Sequence, residues 1–497
     1  MPTREIALVL KSSLPDARQI DRIPAWMIIV PEQPAAAIWR DLPYGEVIAQ
    51  RYKRRPQAPA AGCPISCELP NARGAQVALV TLSRAIDTFE LLTTARKLVA
   101  THAEMQPPEV GVVIHGFGVE MAERVGEAAL AAALAAAAPM PDLRSKPRHR
   151  WPLRRIHVFG TSPSHRYART YAELAGSSLA RYLATLPPTE LTPAAYRRRV
   201  ARIARDRRLR MDFLDIAALK RRKAGAFLAV AQGSPRADAG ILRLRYTPAR
   251  GRDRPAIALV GKGICFDTGG VNLKPPRYML GMQGDMQGSA VALGTLLALA
   301  ELKVDYPVEA WLALAMNHIG PHAYKPTDVV TASNGTTIEV IHTDAEGRMV
   351  LADTLALCSQ GRPALIIDYA TLTGSCVQAI GKSYSGVFTN RSEWWMPLIE
   401  NGRLSGERVW PFPLDKDYDK ALESAIADTR QCAEEGPADH ILAARFLSRF
   451  VGEGIPWIHF DLSSASNRDG LAHVPTHFNG FGVRYTLDLL LNHRLPR

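Results

Sequence analysis

Short apolar runs alternate with helical stretches along most of this 497-residue chain, and that alternation restricts the fold more than any other feature. In the second half, the runs at 227–230, 256–260, 310–314, 365–368 and 457–460 read as strands, with helical stretches such as 289–302 and 441–451 between them. Strands that are apolar throughout belong to sheets covered on both faces, and such sheets are largely parallel. Runs rich in β-branched residues at 77–82, 110–114 and 156–159 give the first 165 residues a similar βαβ rhythm. The expected fold class is α/β in two domains. A smaller N-terminal α/β domain occupies 1–165, a helical connector 166–190, and a larger C-terminal domain 191–497, with a mostly parallel central sheet flanked by helices. A helix is expected over 167–186, stopped by Pro187 and Pro188. Thr192 and Pro193 then look like the N-cap and first residue of a helix carrying Arg197, Arg198, Arg199, Arg202 and Arg205.

Charge is distributed unevenly over this frame. The 61 Lys and Arg exceed the 48 Asp and Glu by 13, which points first to nucleic acid. Residues 141–223 alone hold 21 Lys and Arg against 6 Asp and Glu, a net of +15, so the remainder is nearly neutral. DNA binding through that segment is one reading. The other is that its arginines are solvated or pair with acids on neighbouring subunits, since no aromatic or base-reading motif is interleaved with them. Six scattered cysteines make no disulfide framework and suggest a reducing compartment. Cys63 and Cys67 have no second ligand pair at zinc-site spacing. The first residues lack a signal-type apolar stretch, and no run of about 18 apolar residues exists to span a bilayer. The alanine-rich stretch at 126–138 reads as a soluble helix. A soluble cytoplasmic protein without a membrane partner is expected.

In parallel sheets, function collects at the carboxyl ends of strands, and two segments follow that rule. The run at 256–260 leads into Gly261-Lys262-Gly263-Ile264-Cys265-Phe266-Asp267-Thr268-Gly269-Gly270, then Lys274 and Asp285. The strand-like stretch at 337–341 leads into His342-Thr343-Asp344-Ala345-Glu346-Gly347-Arg348. Both segments read as glycine-rich loops, in which glycines beside charged residues let backbone approach a ligand closely. Carboxylates grouped this way cannot share a desolvated pocket as bare anions, so a dimetal centre or several cations must neutralise them. A phosphate loop is the weaker reading: GxxxxGK[ST] is absent, and three acids would repel phosphate. Taken alone, Asp344 and Glu346 could simply be acids at a helix start, near the positive end of its dipole.

Together, the segments at 260–270 and 343–354 resemble the two signatures of the leucyl (cytosol) aminopeptidase family of dinuclear-metal exopeptidases. Tyr369-Ala-Thr-Leu-Thr-Gly374, the Asp461 segment and Gly480-Phe-Gly-Val-Arg484 resemble its later motifs. The likeness runs from about Leu191 to the C-terminus. It implies a hydrolase that removes the N-terminal residue of peptides by a metal-activated water. Two divalent metals, zinc or manganese, would be bridged by Asp267 and Glu346. Lys262 and Asp285 would complete one metal's shell, and Asp344 the other's. Lys274 would stabilise the oxyanion. Arg348, with backbone near Ala345, Gly347 and Leu372, would hold a bicarbonate acting as general base. The likeness also implies a homohexamer, and it permits a DNA-binding regulatory role as the alternative function.

Departures from the family pattern bear on specificity. Thr268 stands where serine is usual, His342 where asparagine is usual, and Gln287 where a smaller residue is usual. His342 reads as a structural hydrogen bonder and Cys265 as packing. The side-chain pocket would be Met282, Thr371, Gly374, Ser463 and Ser466, with Ser463-Ser464 replacing the usual Ala-Gly. Extra hydroxyls would make it wetter, so a broad or small/polar preference for the first residue is expected.

Overall fold

The computed structural model describes residues 6–54, 62–102, 104–147 and 150–495. They fall into two compact units. One comprises residues up to 178 with 403–406 and 468–477; the other comprises 179–402, 407–467 and 478 onward.

The first unit is built on six strands: β1 (Ala7–Lys11), β2 (Ala25–Pro31), β3 (Ile65–Glu68), β4 (Gln76–Leu82), β5 (Glu109–Ile114) and β6 (Arg155–Phe159). Their order is β1-β6-β5-β2-β4-β3, parallel except for the antiparallel edge strand β3. The alanine-rich stretch lies in a helix, Val119–Ala137, whose small side chains are buried from Ala128 to Ala133. Alanine covers little area but permits close helix packing, and no helix among the described residues is long and apolar enough to cross a membrane.

The second unit carries β7 (Arg210–Asp215), β8 (Gly240–Tyr246), β9 (Ile257–Asp267), β10 (Val308–Asn317), β11 (Val329–Thr331), β12 (Thr337–Glu339), β13 (Leu365–Ala370), β14 (Ser385–Thr389), β15 (Val409–Pro411), β16 (Thr429–Arg430) and β17 (Trp457–Asp461). Eight of these form the central sheet, in the order β15-β14-β17-β13-β9-β10-β8-β7, while β11, β12 and β16 form a small separate one. The middle four strands, β17, β13, β9 and β10, are mutually parallel. Antiparallel pairings join β14 to β17 on one side and β10 to β8 to β7 on the other. The parallel centre is buried on both faces, as continuous apolar strands require.

Two sequence expectations change. Residues 227–230 are not a strand; they lie in a helix, Gly225–Ala231, packed in the core beside the Glu346–Ser359 helix. A four-residue apolar run has no period by which to tell a buried helix from a buried strand. The buried Asp353 carboxylate accepts the Phe227 N–H at 2.8 Å and the Ser333 N–H at 2.6 Å, which fixes the start of that helix. The glycine-rich stretch after residue 260 is a loop only from Thr268 on, because β9 continues through Gly261 and Gly263 to Asp267. A Cβ on Gly261 would lie 2.4 Å from the Gly288 carbonyl oxygen and the Ser289 Cα, so glycine here admits the Gln287–Glu301 helix against the strand.

Candidate metal centre

The parallel strands end together, and their ends carry the charged residues. Asp267 closes β9, Asn317 closes β10 beside it in register, Asp461 closes β17, and Thr371 follows β13. Lys262 sits within β9, the only sheet strand to bring two of the charged residues. Asp344 ends a turn that leads into the Glu346–Ser359 helix, whose first residue is Glu346. An acid in a helix's first turn is favoured by the dipole, so the ordinary role of Glu346 and its place in the cluster coincide.

Oxygen atoms of Asp267, Asp344 and Glu346 lie within 4.8 Å of one another. The Lys262 Nζ stands 2.9 Å from both Asp285 Oδ2 and Glu346 Oε1, and it donates to the Thr371 carbonyl at 3.0 Å. The Lys274 Nζ is 2.9 Å from Asp267 Oδ2 and also pairs with Asp344. The seven charged positions singled out in the sequence thus divide into a cluster of six, with Arg348 two residues beyond Glu346 on the same helix.

Burial sets the electrostatics. It raises the Asp285 carboxyl to about 8, Glu346 to about 7 and Asp344 to about 6, and neighbouring anions add to each shift. Burial also works against the two ammonium groups, but the surrounding carboxylates outweigh it and hold both lysines above their ordinary range. Four carboxylates against two ammoniums leave a deficit of positive charge in a dry pocket. Hard oxygen donors converging beside an amine suit a divalent cation, and on that chemistry the residues fit a metal.

Several supporting residues were not singled out from sequence. The Asn317 amide donates to Asp267 Oδ1 at 2.8 Å and to the Thr343 carbonyl at 2.9 Å, joining the two signature segments. The Tyr324 hydroxyl donates to that same carbonyl at 2.8 Å. Gln431 accepts the Ile341 and His342 N–H groups and donates to the Ala345 carbonyl at 3.0 Å, clasping the turn. A polar residue ending an apolar strand is the one signal that could have exposed Asn317. Gln431 lies in a stretch without periodicity. His342 Nδ1 accepts the Asp344 N–H at 3.2 Å, a structural hydrogen bond. Cys265 is buried and its thiol is pushed up by burial, in keeping with packing.

The other expected positions are placed as follows. Met282 and Thr371 are half-buried and Gly374 is exposed, on the carboxyl side of the sheet. Thr371 Oγ1 donates to Asp285 Oδ1 at 2.8 Å. The Ser463 hydroxyl donates to the Tyr384 carbonyl at 2.7 Å, and the Ser464 and Ser385 hydroxyls share a 2.6 Å bond. Those two serines are therefore internally satisfied and do not wet a pocket; Ser466 is half-buried. The expected bicarbonate receptor is already bonded by the chain's own acids. Both oxygens of Asp439 accept from Arg348 Nη2 at 2.8 Å, and Asp461 Oδ1 accepts the Leu372 N–H at 3.2 Å. Bicarbonate does not fit there. Gly347 has a different use: a Cβ at that position would lie 2.6 Å from Lys262 Cε, so glycine makes room for the lysine.

An α/β sheet that gathers oxygen ligands and lysines at the carboxyl ends of its parallel strands defines a protein of the metal-dependent class. The catalytic domain of the cytosol aminopeptidase family matches residues 178–487, and the chain belongs to that family. The family is metal-dependent. A probable cytosol aminopeptidase of Wolbachia pipientis is 43% identical over 311 residues, 62% of this chain and 61% of the relative. Another, from Methylorubrum extorquens, is 39% identical over 345 residues, 68% of this chain and 67% of the relative. The chain thus spans about three-fifths of the length of the first of these. Among solved structures, a tomato leucine aminopeptidase mutant is similar with a TM-score of 0.87 at 25% identity, covering 99% of this chain and 97% of that one. The bottromycin maturation enzyme BotP in complex with Mn gives 0.82 at 29% identity, covering 95% and 100%.

Proposed function

We infer that the protein is a metal-dependent aminopeptidase that hydrolyses the first peptide bond of substrates with a free N-terminus. One observation carries this reading: Asp267, Asp344 and Glu346 converge, with Lys262, Asp285 and Lys274 bonded among them. Asp267 and Glu346 would help hold two divalent ions, zinc or manganese. Lys262 and Asp285 would serve one ion and Asp344 the other. When bound, the ions supply Lewis acidity and bring the pKa of water near neutrality.

The chain's own groups do the rest. Lys274 is a fixed cation in a largely desolvated setting, placed to stabilise an oxyanion as negative charge develops. The acid-rich cluster selects a cationic or metal-ligating α-amine, so a blocked N-terminus removes the recognised group. Asn317 holds Asp267 in orientation through its amide. With Ser463 and Ser464 bonded internally, their hydroxyls do not carry the preference. The proposed pocket of Met282, Thr371, Gly374, Ser463 and Ser466 is instead only partly closed, with Met282, Thr371 and Ser466 half-buried and Gly374 exposed, so a large apolar side chain gains less there and breadth is favoured. The same reading carries a homohexamer in the cytosol.

The test is a panel of dipeptides and aminoacyl amides, with N-acetylated controls, run with each metal and with chelator. Hydrolysis of free peptides that chelation abolishes is expected, with leucine, alanine and glycine substrates within roughly tenfold of one another in kcat/KM, about 1.4 kcal/mol. Equal cleavage of N-acetylated peptides would overturn the exopeptidase assignment.

A further inference from the structure

Arg348 is buried, with 2% of its side chain exposed, and a buried guanidinium needs an anion to offset the cost of its desolvation. The chain supplies one. Asp439 places both carboxylate oxygens 2.8 Å from Arg348 Nη2, while Nη1 donates to the Gln431 carbonyl at 3.3 Å. Nε is left without a hydrogen-bond partner among the described residues. A charge-assisted contact of this kind is among the stronger protein hydrogen bonds.

Asp439 is fixed from both sides. Ala438 before it has a φ of 66°, a left-handed conformation that alanine rarely adopts, at the residue that aims the carboxylate. His440 after it is anchored to the first turn of the Gly374–Ile380 helix that follows β13: its backbone N–H donates to Ser375 Oγ at 2.9 Å, and its ring Nδ1 lies 3.1 Å from the same oxygen. The ring also meets Phe412 edge-on at 4.5 Å. Ser375 connects through Thr373 to Asp461, the acid that takes the Leu372 N–H. Arg348 lies two residues beyond Glu346 on the same helix, which puts this ion pair beside the metal cluster. Two of the groups expected to receive bicarbonate, the Arg348 guanidinium and the Leu372 N–H, are therefore occupied by side chains of the protein itself.

We propose that Asp439 is a built-in replacement for the exogenous anion on Arg348, a positioning residue that makes the protein independent of bicarbonate. The proposal rests on the aminopeptidase reading for its activity assay, but its binding assay does not. The experiment uses metal-loaded protein in carbon-dioxide-free buffer and in millimolar bicarbonate, comparing the wild type with Asp439→Ala and Asp439→Asn. Peptide hydrolysis and the thermal shift caused by bicarbonate are both read.

The wild type should show the same kcat/KM and the same Tm with and without bicarbonate. Asp439→Ala, which clears the space, should lose roughly tenfold or more without bicarbonate, regain most of it with bicarbonate, and gain Tm on adding it. Asp439→Asn keeps the bulk and should lose activity with little rescue. Activation or thermal stabilisation of the wild type by bicarbonate would overturn the proposal. So would full activity of Asp439→Ala without bicarbonate, or an unrescued loss in a variant that remains folded. A wild type inert on every peptide would sink the aminopeptidase reading instead, and the thermal shifts would still report on Asp439.

Discussion

Lys262 has no freedom to move. Its ammonium is held by Asp285, Glu346 and the Thr371 carbonyl, and its stem lies against the bare Cα of Gly347. Gly347→Ala would place a methyl 2.6 Å from Lys262 Cε, and the lysine could escape only by abandoning those partners. The overpacking itself costs about 1–3 kcal/mol, whereas the displaced amine acts directly on the site. The expected result is a loss of at least roughly tenfold in kcat/KM and a weaker metal affinity, with only a modest fall in Tm. Activity within twofold of wild type would show that the lysine tolerates displacement. Lys274→Ala removes a cation rather than a ligand. It should lower kcat by roughly 100-fold, the scale of an oxyanion stabiliser, while metal content measured by elemental analysis stays unchanged.

At the scale of elements, β9 and β10 act as a pair. Their register sets Asn317 against Asp267, and the Asn317 amide reaches across to the turn before the Glu346–Ser359 helix. Asn317→Ala takes one of two donors from each acceptor, leaving the Thr343 carbonyl with the Tyr324 hydroxyl and Asp267 Oδ1 with the Gly269 N–H, a loss of about 1–3 kcal/mol. Metal affinity should fall roughly 10- to 100-fold, to be read by titration with a competing chelator; an unchanged affinity would confine Asn317 to the fold. Charged side chains among glycines were legible in the sequence, because such residues in apolar surroundings demand a reason. What held them in place was less legible. Gly261 and Gly263, which suggested a loop, are strand residues, the first admitting a helix, and 227–230 is a helix whose start is fixed by an acid more than a hundred residues away. Asp439 belongs to neither signature segment, and only the tertiary fold brings it to Arg348. Local patterns carry charge and periodicity; they do not carry which distant carboxylate meets which guanidinium.

For the whole molecule, the +15 segment and the acidic cluster are separate features. Several of the segment's basic groups find partners nearby: Arg197 lies over the Phe213 ring at 4.4 Å, Arg199 stands 3.7 Å from Glu190, and Arg210 pairs with Asp212 at 3.2 Å. Proton binding connects the cluster to global stability. Asp344, Glu346 and Asp285 are raised by burial from 3.8 or 4.5 to about 6, 7 and 8, so the folded chain binds protons more readily than the unfolded one. Without metal, the fold should therefore lose stability as pH climbs through that window. Metal binding needs the deprotonated carboxylates and should restore it. The expected outcome is a larger Tm gain from manganese or zinc at about pH 8 than at about pH 6, measured by scanning calorimetry on chelator-treated protein. An equal gain at both would contradict the assignment of these acids as ligands. The parallel centre has a kinetic consequence as well. Its site draws on residues from Lys262 to Asp461, delivered by strands that pair only across long stretches of chain. Such non-local contacts form slowly, so a chain still being synthesised can gain helix and local sheet well before its acidic cluster comes together.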